Sequence, residues 1–162
     1  MNSDKIVKRV LFKLGLSKNS ITWKQPSISK ELHNYFGNSE ASQEFKKHGL
    51  SFESPKTLAS FLKLGKLQKV SDEELSQKAK NITLSIKDFD EKLEDQNFKQ
   101  SFKHLEKSLE TENLNLEAPI LIKFNDGTYW GFSGNRRANL ARKHSLPILY
   151  FVVNQKDLKE ED

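Results

Sequence analysis

Residues 119–153, with the sequence PILIKFNDGTYWGFSGNRRANLARKHSLPILYFVV, decide the fold of this chain. Apolar and aromatic residues flank an Asn-Asp-Gly triplet at 125–127, where glycine accepts the positive φ of a tight turn and Asn and Asp adopt turn geometry at little cost. This pattern predicts a β-hairpin. Residues 135–144 are good helix formers, Pro147 can only follow the end of that helix, and residues 148–153 suit a buried strand.

The residues before the hairpin extend the same pattern of strands and helices. Ile82, Leu84 and Ile86 alternate with polar residues, which predicts a half-buried strand. Apolar residues then recur at spacings of four, three and four, which predicts an amphipathic helix. These residues are Phe98, Phe102, Leu105 and Leu109. From residue 82 the predicted order is strand, helix, hairpin, helix, strand, an α+β domain with a small mixed sheet and packed helices.

The first half of the chain is predicted to be mainly helical. Ser54-Pro55 and Ser71 mark two helix starts, the second in a capping box with Glu74. Residues 17–49 are interpreted as two short helices, in pieces at about 28–36 and 39–47 that Pro26, Gly37 and Gly49 separate. The opening helix has an apolar stripe, expected to be core and not a membrane anchor, and Gly15 is its stop signal. The stripe consists of Ile6, Val7, Val10, Leu11 and Leu14. A plain helical extension is preferred to a helix-turn-helix because no base-reading pattern is identifiable.

Length and composition set the domain organisation. The chain has 162 residues and no cysteine, which excludes disulfides, thiolate metal sites and cysteine catalysis. We predict a basic, mainly helical region at 1–81, an α+β domain at 82–154 and a charged tail at 155–162. No uninterrupted apolar run is long enough for a signal-peptide core or a transmembrane span, so a cytoplasmic protein with no membrane partner is expected.

The charge is distributed unevenly along the chain. Residues 1–70 carry a net charge of +8, residues 71–118 carry −5, and residues 119–162 carry +2. A basic first segment suggests an acidic partner, with nucleic acid the leading candidate. A lysine-rich composition without any partner gives the same count.

The residues at 133–139 are candidates for anion binding. Ser133 and Gly134 stand where a strand is predicted to turn into a helix, whose first N–H groups and dipole attract negative charge. Arg136 and Arg137 add guanidinium groups, which match phosphate oxygens two at a time. Asn135 and Asn139 can contact a sugar, a base or a hydrated metal ion. Arg142 and Lys143, near the end of the helix, complement its dipole and are interpreted as structural.

The run from 119 to 153 resembles the core of the ParB and sulfiredoxin-like superfamily, in which a hairpin leads to a Gly-Glu-Arg-Arg motif, a helix with small residues and a buried strand. The resemblance covers about residues 82–154. Gly134, Arg136 and Arg137 match the motif, and Ala138 and Ala141 match the small residues of the helix. In chromosome-partitioning members the motif holds the triphosphate of CTP with magnesium; other members resemble ATP- or ADP-dependent phosphotransferases, and some are described as nucleases.

The resemblance implies a ParB-like domain that binds a nucleoside phosphate of the CTP or ATP class at residues 133–137, with Mg²⁺ carried by a triphosphate. It leaves catalysis open: phosphoryl transfer or nucleotide hydrolysis fits best, and nuclease activity fits less well. The alternative is a non-enzymatic DNA- or RNA-binding protein that contacts backbone phosphates through the same turn and the basic first segment. A nucleotide-like domain kept for protein contacts is a third possibility, and a protein partner or a homodimer stays open.

Departures from the family pattern limit what carries over. Asn135 replaces the glutamate of the motif, the upstream proline- and arginine-containing box has no clear counterpart, and a cysteine-free chain cannot be a sulfiredoxin of the usual kind. No room is left after residue 154 for a helix-turn-helix domain, so a full partitioning protein is not expected. Glu91 and Asp95 are candidates for a catalytic base, although a solvated helix start is the favoured interpretation. The four histidines show no metal-ligand spacing.

Overall fold

A computed structural model of the chain describes residues 3–14, 19–84 and 96–159 and shows a mixed α/β protein. Within these residues no helix is long and apolar enough to cross a membrane. The six α-helices described are α1 Ser3–Lys13, α2 Ser39–Lys47, α3 Pro55–Leu62, α4 Asp72–Lys78, α5 Gln96–Thr111 and α6 Asn135–Lys143. The strands are β1 Ile21–Lys24, β2 Lys66–Gln68, β3 Ala79–Lys80, β4 Leu114–Glu117, β5 Ile120–Lys123, β6 Tyr129–Ser133 and β7 Tyr150–Asn154.

The chain forms two compact units, and each draws on three separate stretches of sequence. The first unit comprises Met1–Lys24, Thr83–Leu116 and Arg136–Ile148. The second comprises Gln25–Ile82, Glu117–Asn135 and Leu149–Asp162. The domains predicted at 1–81 and 82–154 are continuous along the chain, whereas each of these units includes residues from both.

The second unit is built on a mixed sheet in the order β2, β7, β5, β6, β3. β5 and β7 are parallel, β3 and β6 are parallel, and β5 and β6 run antiparallel. The two parallel pairs therefore point in opposite directions. The carboxyl ends of β5 and β7 lie at one end of the sheet, and those of β3 and β6 lie at the other.

The predicted hairpin is confirmed by β5 and β6. Gly127 in its turn has a φ of +87°, which glycine adopts without the clash that a Cβ would cause. The Asp126 carboxylate accepts hydrogen bonds from the Thr128 N–H at 2.9 Å and the Thr128 hydroxyl at 2.6 Å. These bonds close the turn, and they hold the pKa of Asp126 below its usual range.

The helix and the strand predicted after the hairpin are also confirmed. The helix predicted at 135–144 is α6, and the buried strand predicted at 148–153 is β7. Tyr150, Phe151, Val152 and Val153 are all almost fully buried. This strand lies between β2 and β5, and its consecutive residues are buried on both faces of the sheet, so an almost continuous apolar run is needed.

An aromatic cluster fills the core beside this sheet. The ring of Phe45 lies 5.8 Å from that of Phe124 and 6.3 Å from that of Phe132, measured between centroids. Tyr35 and Phe52 pack edge-on at 5.7 Å, and the Tyr35 hydroxyl accepts a hydrogen bond from the Phe52 N–H at 3.0 Å. The cluster attaches α2 and the loop before α3 to the strands of the second unit.

Both helix starts predicted in the first half are confirmed. The Ser54 hydroxyl accepts a hydrogen bond from the Thr57 N–H, and the Ser71 hydroxyl accepts one from the Glu74 N–H at 3.1 Å. α3 also has Pro55 at its first position. Each serine satisfies one of the N–H groups that a helix start leaves without an internal partner.

The strand predicted at Ile82–Ile86 is wrong for its described part. Residues 82–84 have no regular structure, and residues 85–95 lie outside the described residues. The strand occurs earlier, as the two residues of β3, and Asn81 then interrupts it with a φ of +58°. A positive φ breaks the extended conformation, so the described residues that follow, 82–84, do not extend the strand.

Of the two short helices predicted within residues 17–49, the second is confirmed as α2 Ser39–Lys47, whereas the first, at about 28–36, is replaced by two single 3-10 turns. The 3-10 turns are Ile28–Lys30 and Leu32–Asn34, β1 precedes them, and residues 15–18 lie outside the described residues. β1 pairs with β4 in a two-stranded sheet, and the Ser20 carbonyl accepts a hydrogen bond from the Leu114 N–H at 2.9 Å. Such a long-range pairing has no local signal in the sequence.

The first unit has its own small core, formed where α5, β4 and α6 meet. Its buried residues are Phe102, Leu109, Leu114 and Leu140. The predicted amphipathic helix is therefore confirmed as α5, which begins at Gln96 and ends at Thr111. The predicted burial of the α1 stripe is wrong: Ile6, Val7 and Val10 are about half exposed, and the α1 residues turned toward α5 include Arg9, which pairs with Glu110 at 3.4 Å.

Candidate functional site

The turn predicted to bind an anion follows β6 at the end of the sheet where β3 also ends. Gly134 has a φ of +92°, and α6 begins at the next residue. The carboxyl ends of parallel strands are the usual location for ligands in mixed and parallel sheets, because loops and helix starts meet there. The turn thus lies where a binding site is expected on topological grounds.

Asn81 supports this turn from the neighbouring strand, and sequence reasoning missed it. Its side-chain amide donates to the Gly131 carbonyl at 2.7 Å, and its own carbonyl accepts from the Asn135 side-chain amide at 3.4 Å. The positive φ of Asn81 is a conformation that Asn tolerates better than most residues. In the sequence, Asn81 stands alone after a short helix and a short strand. No neighbouring residue indicates that it contacts residue 131.

Gly131 is required by the closeness of β3 to β6. A Cβ at this position would overlap the Asn81 carbonyl oxygen and lie 3.1 Å from the Asn81 carbonyl carbon. Only glycine lets the two backbones approach so closely. The glycine in the middle of the aromatic strand therefore places Asn81 beside the turn.

Ser133 is the last residue of β6 and is half-buried. Its hydroxyl oxygen is shielded from solvent, and no side chain or backbone group in the described part of the chain hydrogen-bonds to it. A buried hydroxyl that lacks a partner costs roughly 1–3 kcal/mol, so such groups usually meet a water molecule, an ion or a ligand. The hydroxyl is thus a possible polar contact at the turn.

The start of α6 differs from three other helix starts in the described residues. Asn38, Ser54 and Ser71 each cap their helix with a side-chain oxygen. The residue before α6 is Gly134, which has no side chain, and the first turn of α6 contains no acidic residue. The positive end of the α6 dipole is therefore not neutralised by an acid in its own first turn.

The first turn of α6 carries two arginines instead. Arg136 is exposed and Arg137 is half-buried. Two cations at a helix N-terminus oppose the dipole by about 0.3–1 kcal/mol each. A nearby anion would reverse this cost, because guanidinium groups and helix N–H groups would then bind the same negative charge.

Asn139, a predicted ligand contact, is 3% exposed in the first unit. Its side-chain amide donates to the Thr83 carbonyl at 3.0 Å, and its side-chain carbonyl accepts from the Arg142 guanidinium at 3.2 Å. Arg142 also reaches the Thr83 carbonyl, at 3.4 Å. These contacts belong to the buried face of α6, on which Asn139 lies, in contrast to the exposed Arg136.

Lys143 and His144, at the end of α6, converge on Glu106 of α5. The Glu106 carboxylate lies 2.8 Å from the Lys143 ammonium and 2.9 Å from the His144 ring nitrogen. Burial raises the pKa of Glu106, but the hydrogen bonds from these two residues outweigh it, so its pKa lies below the usual value. Lys143 therefore forms an ion pair with Glu106, in agreement with the structural role expected for it.

The acidic candidates for a catalytic base, Glu91 and Asp95, lie outside the described residues. In the described part of the chain, no group of three or more His, Asp or Glu side chains could hold a metal ion. Mg²⁺ in nucleotide sites is usually bound through one or two carboxylates together with substrate phosphates. Neutral oxygens at the turn belong to Ser133 and Asn135.

The candidate site therefore consists of a glycine turn, a helix start without an acid in its first turn and two arginines, supported by Asn81. Comparisons of the chain with protein-family models, with curated proteins and with solved structures found no match.

Proposed function

We propose that the turn formed by residues 133–137 binds the phosphate groups of a nucleoside phosphate of the CTP or ATP class, in a domain of the ParB and sulfiredoxin-like type. The observation that carries the proposal is the start of α6. A nine-residue helix begins after a glycine, lacks an acid in its first turn and places two arginines there. An anion is the ligand that this combination favours.

Each residue of the turn has a distinct role in this proposal. Gly134 keeps side-chain atoms away from the first N–H groups of α6, so that phosphate oxygens can approach them. Arg136 and Arg137 bind further phosphate oxygens and neutralise their charge. Asn135 can accept a hydrogen bond from a ribose hydroxyl through its side-chain carbonyl oxygen, because its amide group donates to the Asn81 carbonyl.

The proposal concerns binding, and a catalytic step is not part of it. Hydrolysis and phosphoryl transfer need a base that activates water or a hydroxyl. Asn135, which stands where the family motif has glutamate, cannot serve as that base. Magnesium, if present, would arrive with a triphosphate and reduce its charge.

A second candidate is a nucleic-acid backbone, and a groove in the first unit favours it. The groove lies between α1 and α5 and has a volume of about 450 Å³. Its lining is mainly basic and hydroxylated: Lys5, Arg9, His104, Lys107, Ser108, Thr111 and Glu112. A phosphate backbone would interact with the lysines as it does in non-specific DNA and RNA binding.

Calorimetry and thermal unfolding with CTP, ATP, ADP and GTP, each with and without Mg²⁺, test the nucleotide proposal. We expect at least one nucleotide to stabilise the wild type, by about 2.7 kcal/mol at one hundred times its Kd. An Arg136→Ala/Arg137→Ala pair should weaken binding about tenfold or more, because two charge-assisted contacts are lost.

The matched control is Lys56→Ala/Lys63→Ala, which removes the same charge from exposed positions on and just after α3. It should leave nucleotide affinity unchanged. If no nucleotide stabilises the wild type in either condition, the nucleotide proposal is wrong. If oligonucleotides bind instead, with an affinity that falls steeply with salt and depends on Arg136 and Arg137, the second candidate is correct.

A further inference from the structure

A small cavity opens at the other end of the sheet in the second unit, where β5 and β7 end. It has a volume of about 170 Å³. Its walls come from the last residues of β5 and β7, the hairpin turn and the residues just after β7. They are Lys123, Phe124, Asn125, Gly127, Asn154 and Lys156. These residues include two cations and two side-chain amides, and none is acidic.

The strand register explains why these groups meet. β5 and β7 are parallel neighbours, and Lys123 at the end of β5 is paired with Asn154 at the end of β7. Asn125 and Lys156 follow two residues after each of these positions. The end of β5 and the end of β7 therefore each contribute one lysine and one asparagine to the cavity wall.

The nearest carboxylate in the hairpin turn is occupied elsewhere. Asp126 binds both polar groups of Thr128, and its second oxygen lies 3.5 Å from a ring nitrogen of His48. Lys123 is half-buried, and its ammonium lies 5.6 Å from the centre of the Tyr129 ring. No ion pair between either cavity lysine and a carboxylate occurs in the described residues. The positive charge of the cavity is therefore not neutralised by the walls.

Two backbone N–H groups around the cavity already donate hydrogen bonds within the chain. The Asn125 N–H donates to the side chain of Gln155 at 2.9 Å, and the Gly127 N–H donates to the Phe124 carbonyl at 3.0 Å. The polar side chains among the lining residues are those of two lysines and two asparagines. Ammonium and amide donors together suit the tetrahedral oxygens of a phosphate or a similar oxyanion.

We propose that this cavity is a binding site for a small oxyanion of the phosphate class, either free phosphate or a terminal phosphoryl group. Its volume corresponds to about five or six water molecules, each of which takes about 30 Å³. Pockets that enclose a whole drug-sized molecule are larger, at roughly 300–1,000 Å³. The site admits a phosphoryl group and leaves any larger part of the molecule outside.

This oxyanion site is separate from the turn at residues 133–137. β6 is antiparallel to β5, so Ser133 lies opposite the start of β5 whereas Lys123 lies opposite the start of β6. The two sites are thus at opposite ends of the sheet. The oxyanion proposal stands independently of the nucleotide proposal.

NMR titration of the full chain with inorganic phosphate, and in parallel with glycerol phosphate, tests the site. We expect the side-chain amide signals of Asn125 and Asn154 to shift and saturate. Lys123→Gln/Lys156→Gln should weaken this binding about tenfold or more. Lys156→Gln alone changes only an exposed side chain and should weaken it by a smaller factor without affecting folding.

Two matched variants make the outcome decisive. Lys56→Gln/Lys63→Gln removes equal charge elsewhere in the unit and should leave the affinity unchanged. Arg136→Ala/Arg137→Ala should also leave the shifts of Asn125 and Asn154 unchanged, even if it abolishes nucleotide binding. Saturable binding of glycerol phosphate identifies a phosphoryl site, and binding of inorganic phosphate alone identifies a free-phosphate site. If neither probe shifts the two amides, or if the control lysine pair weakens binding as much as the cavity pair, the proposal is overturned.

Discussion

At the scale of single residues, Asn81 and Gly131 determine how closely β3 approaches β6. Asn81 donates to the Gly131 carbonyl at 2.7 Å, and a Cβ on residue 131 would overlap the Asn81 carbonyl oxygen. The overlapping atom belongs to the backbone, so a rotamer change cannot relieve the clash. The strands themselves would have to separate, and Asn81 would move away from the turn that it supports.

We therefore expect Gly131→Ala to lower the free energy of unfolding by about 1–3 kcal/mol, the usual cost of overpacking. Denaturant unfolding measures this loss, and hydrogen exchange should show faster exchange of the amides that pair β3 with β6. Gly127→Ala is the matched control. A Cβ there meets no atom within 4 Å, although the positive φ still costs some stability. Unchanged amide protection in Gly131→Ala would contradict the close approach of the two strands.

At the scale of elements, the helices of the described chain differ in how their first turns are satisfied. α4 has a serine cap and three acidic residues in its first turn, Asp72, Glu73 and Glu74. Both features complement the dipole, so α4 is closed at its N-terminus without any ligand. α6 has neither feature, and this contrast singles out its start as the binding candidate.

Removing the α4 cap should have a measurable cost. We expect Ser71→Ala to lower the free energy of unfolding by about 1 kcal/mol, because the Glu74 N–H loses its acceptor, whereas Ser71→Asp should retain most of it. Ser76→Ala, on the same helix, is the control: its hydroxyl donates to the Glu73 carbonyl within the helix, and this contact adds little stability. Equal losses in Ser71→Ala and Ser76→Ala would show that the cap contributes nothing specific.

At the scale of the whole molecule, each unit contains a carboxylate surrounded by cations. Burial raises the pKa of Glu44 in the second unit, but contacts with Lys80, Lys47 and His48 outweigh it, and the pKa lies below the usual value. The same balance holds for Glu106 in the first unit. A lowered pKa means that the folded state binds protons less readily than the unfolded chain, so each ionised carboxylate stabilises folding.

Acid should consequently destabilise both units. The contribution of each carboxylate is fully present above its ordinary pKa of 4.5, and it is lost as the pH falls through the lower pKa of the folded state. Glu44→Gln and Glu106→Gln should each lower stability at pH 7 and flatten its decline below pH 4.5. Denaturant unfolding at a series of pH values measures both effects, with exposed Glu73→Gln as the control. A slope in either variant equal to that of the wild type would contradict the assigned role of that carboxylate.

Signals that involve neighbouring residues in the chain predicted much of the structure. Three such signals are the Asn-Asp-Gly turn, the serine caps and the spacing of apolar residues along α5. Each depends only on residues close together in the chain, and the structure that each one predicted was confirmed. The turn at residues 133–137 was also predicted as the passage from a strand to a helix. Its two arginines and its glycine were identified from the sequence because their effect on a helix start is local.

Pairings between distant residues could not be predicted in this way. The strands that pair over long distances, β1 with β4, β2 with β7 and β3 with β6, are short. The two strands of each pair lie from about 50 to more than 80 residues apart in sequence. Residues 82–84 were mistaken for part of a strand because alternating apolar and polar residues are typical of one, although the positive φ of Asn81 ends β3 before them. The α1 stripe was mistaken for core because periodicity does not show which face a neighbour covers.

The sequence by itself determined the hairpin, the capped helices and the arginine-bearing start of α6, since each follows from interactions within a short stretch of chain. Only the tertiary structure decided that Asn81 supports the turn, that Asn139 lies on the buried face of α6, and that Lys123 and Lys156 line the same cavity. These arrangements depend on strand register and backbone closeness. Both are set by packing among residues far apart in the chain, which no local pattern specifies.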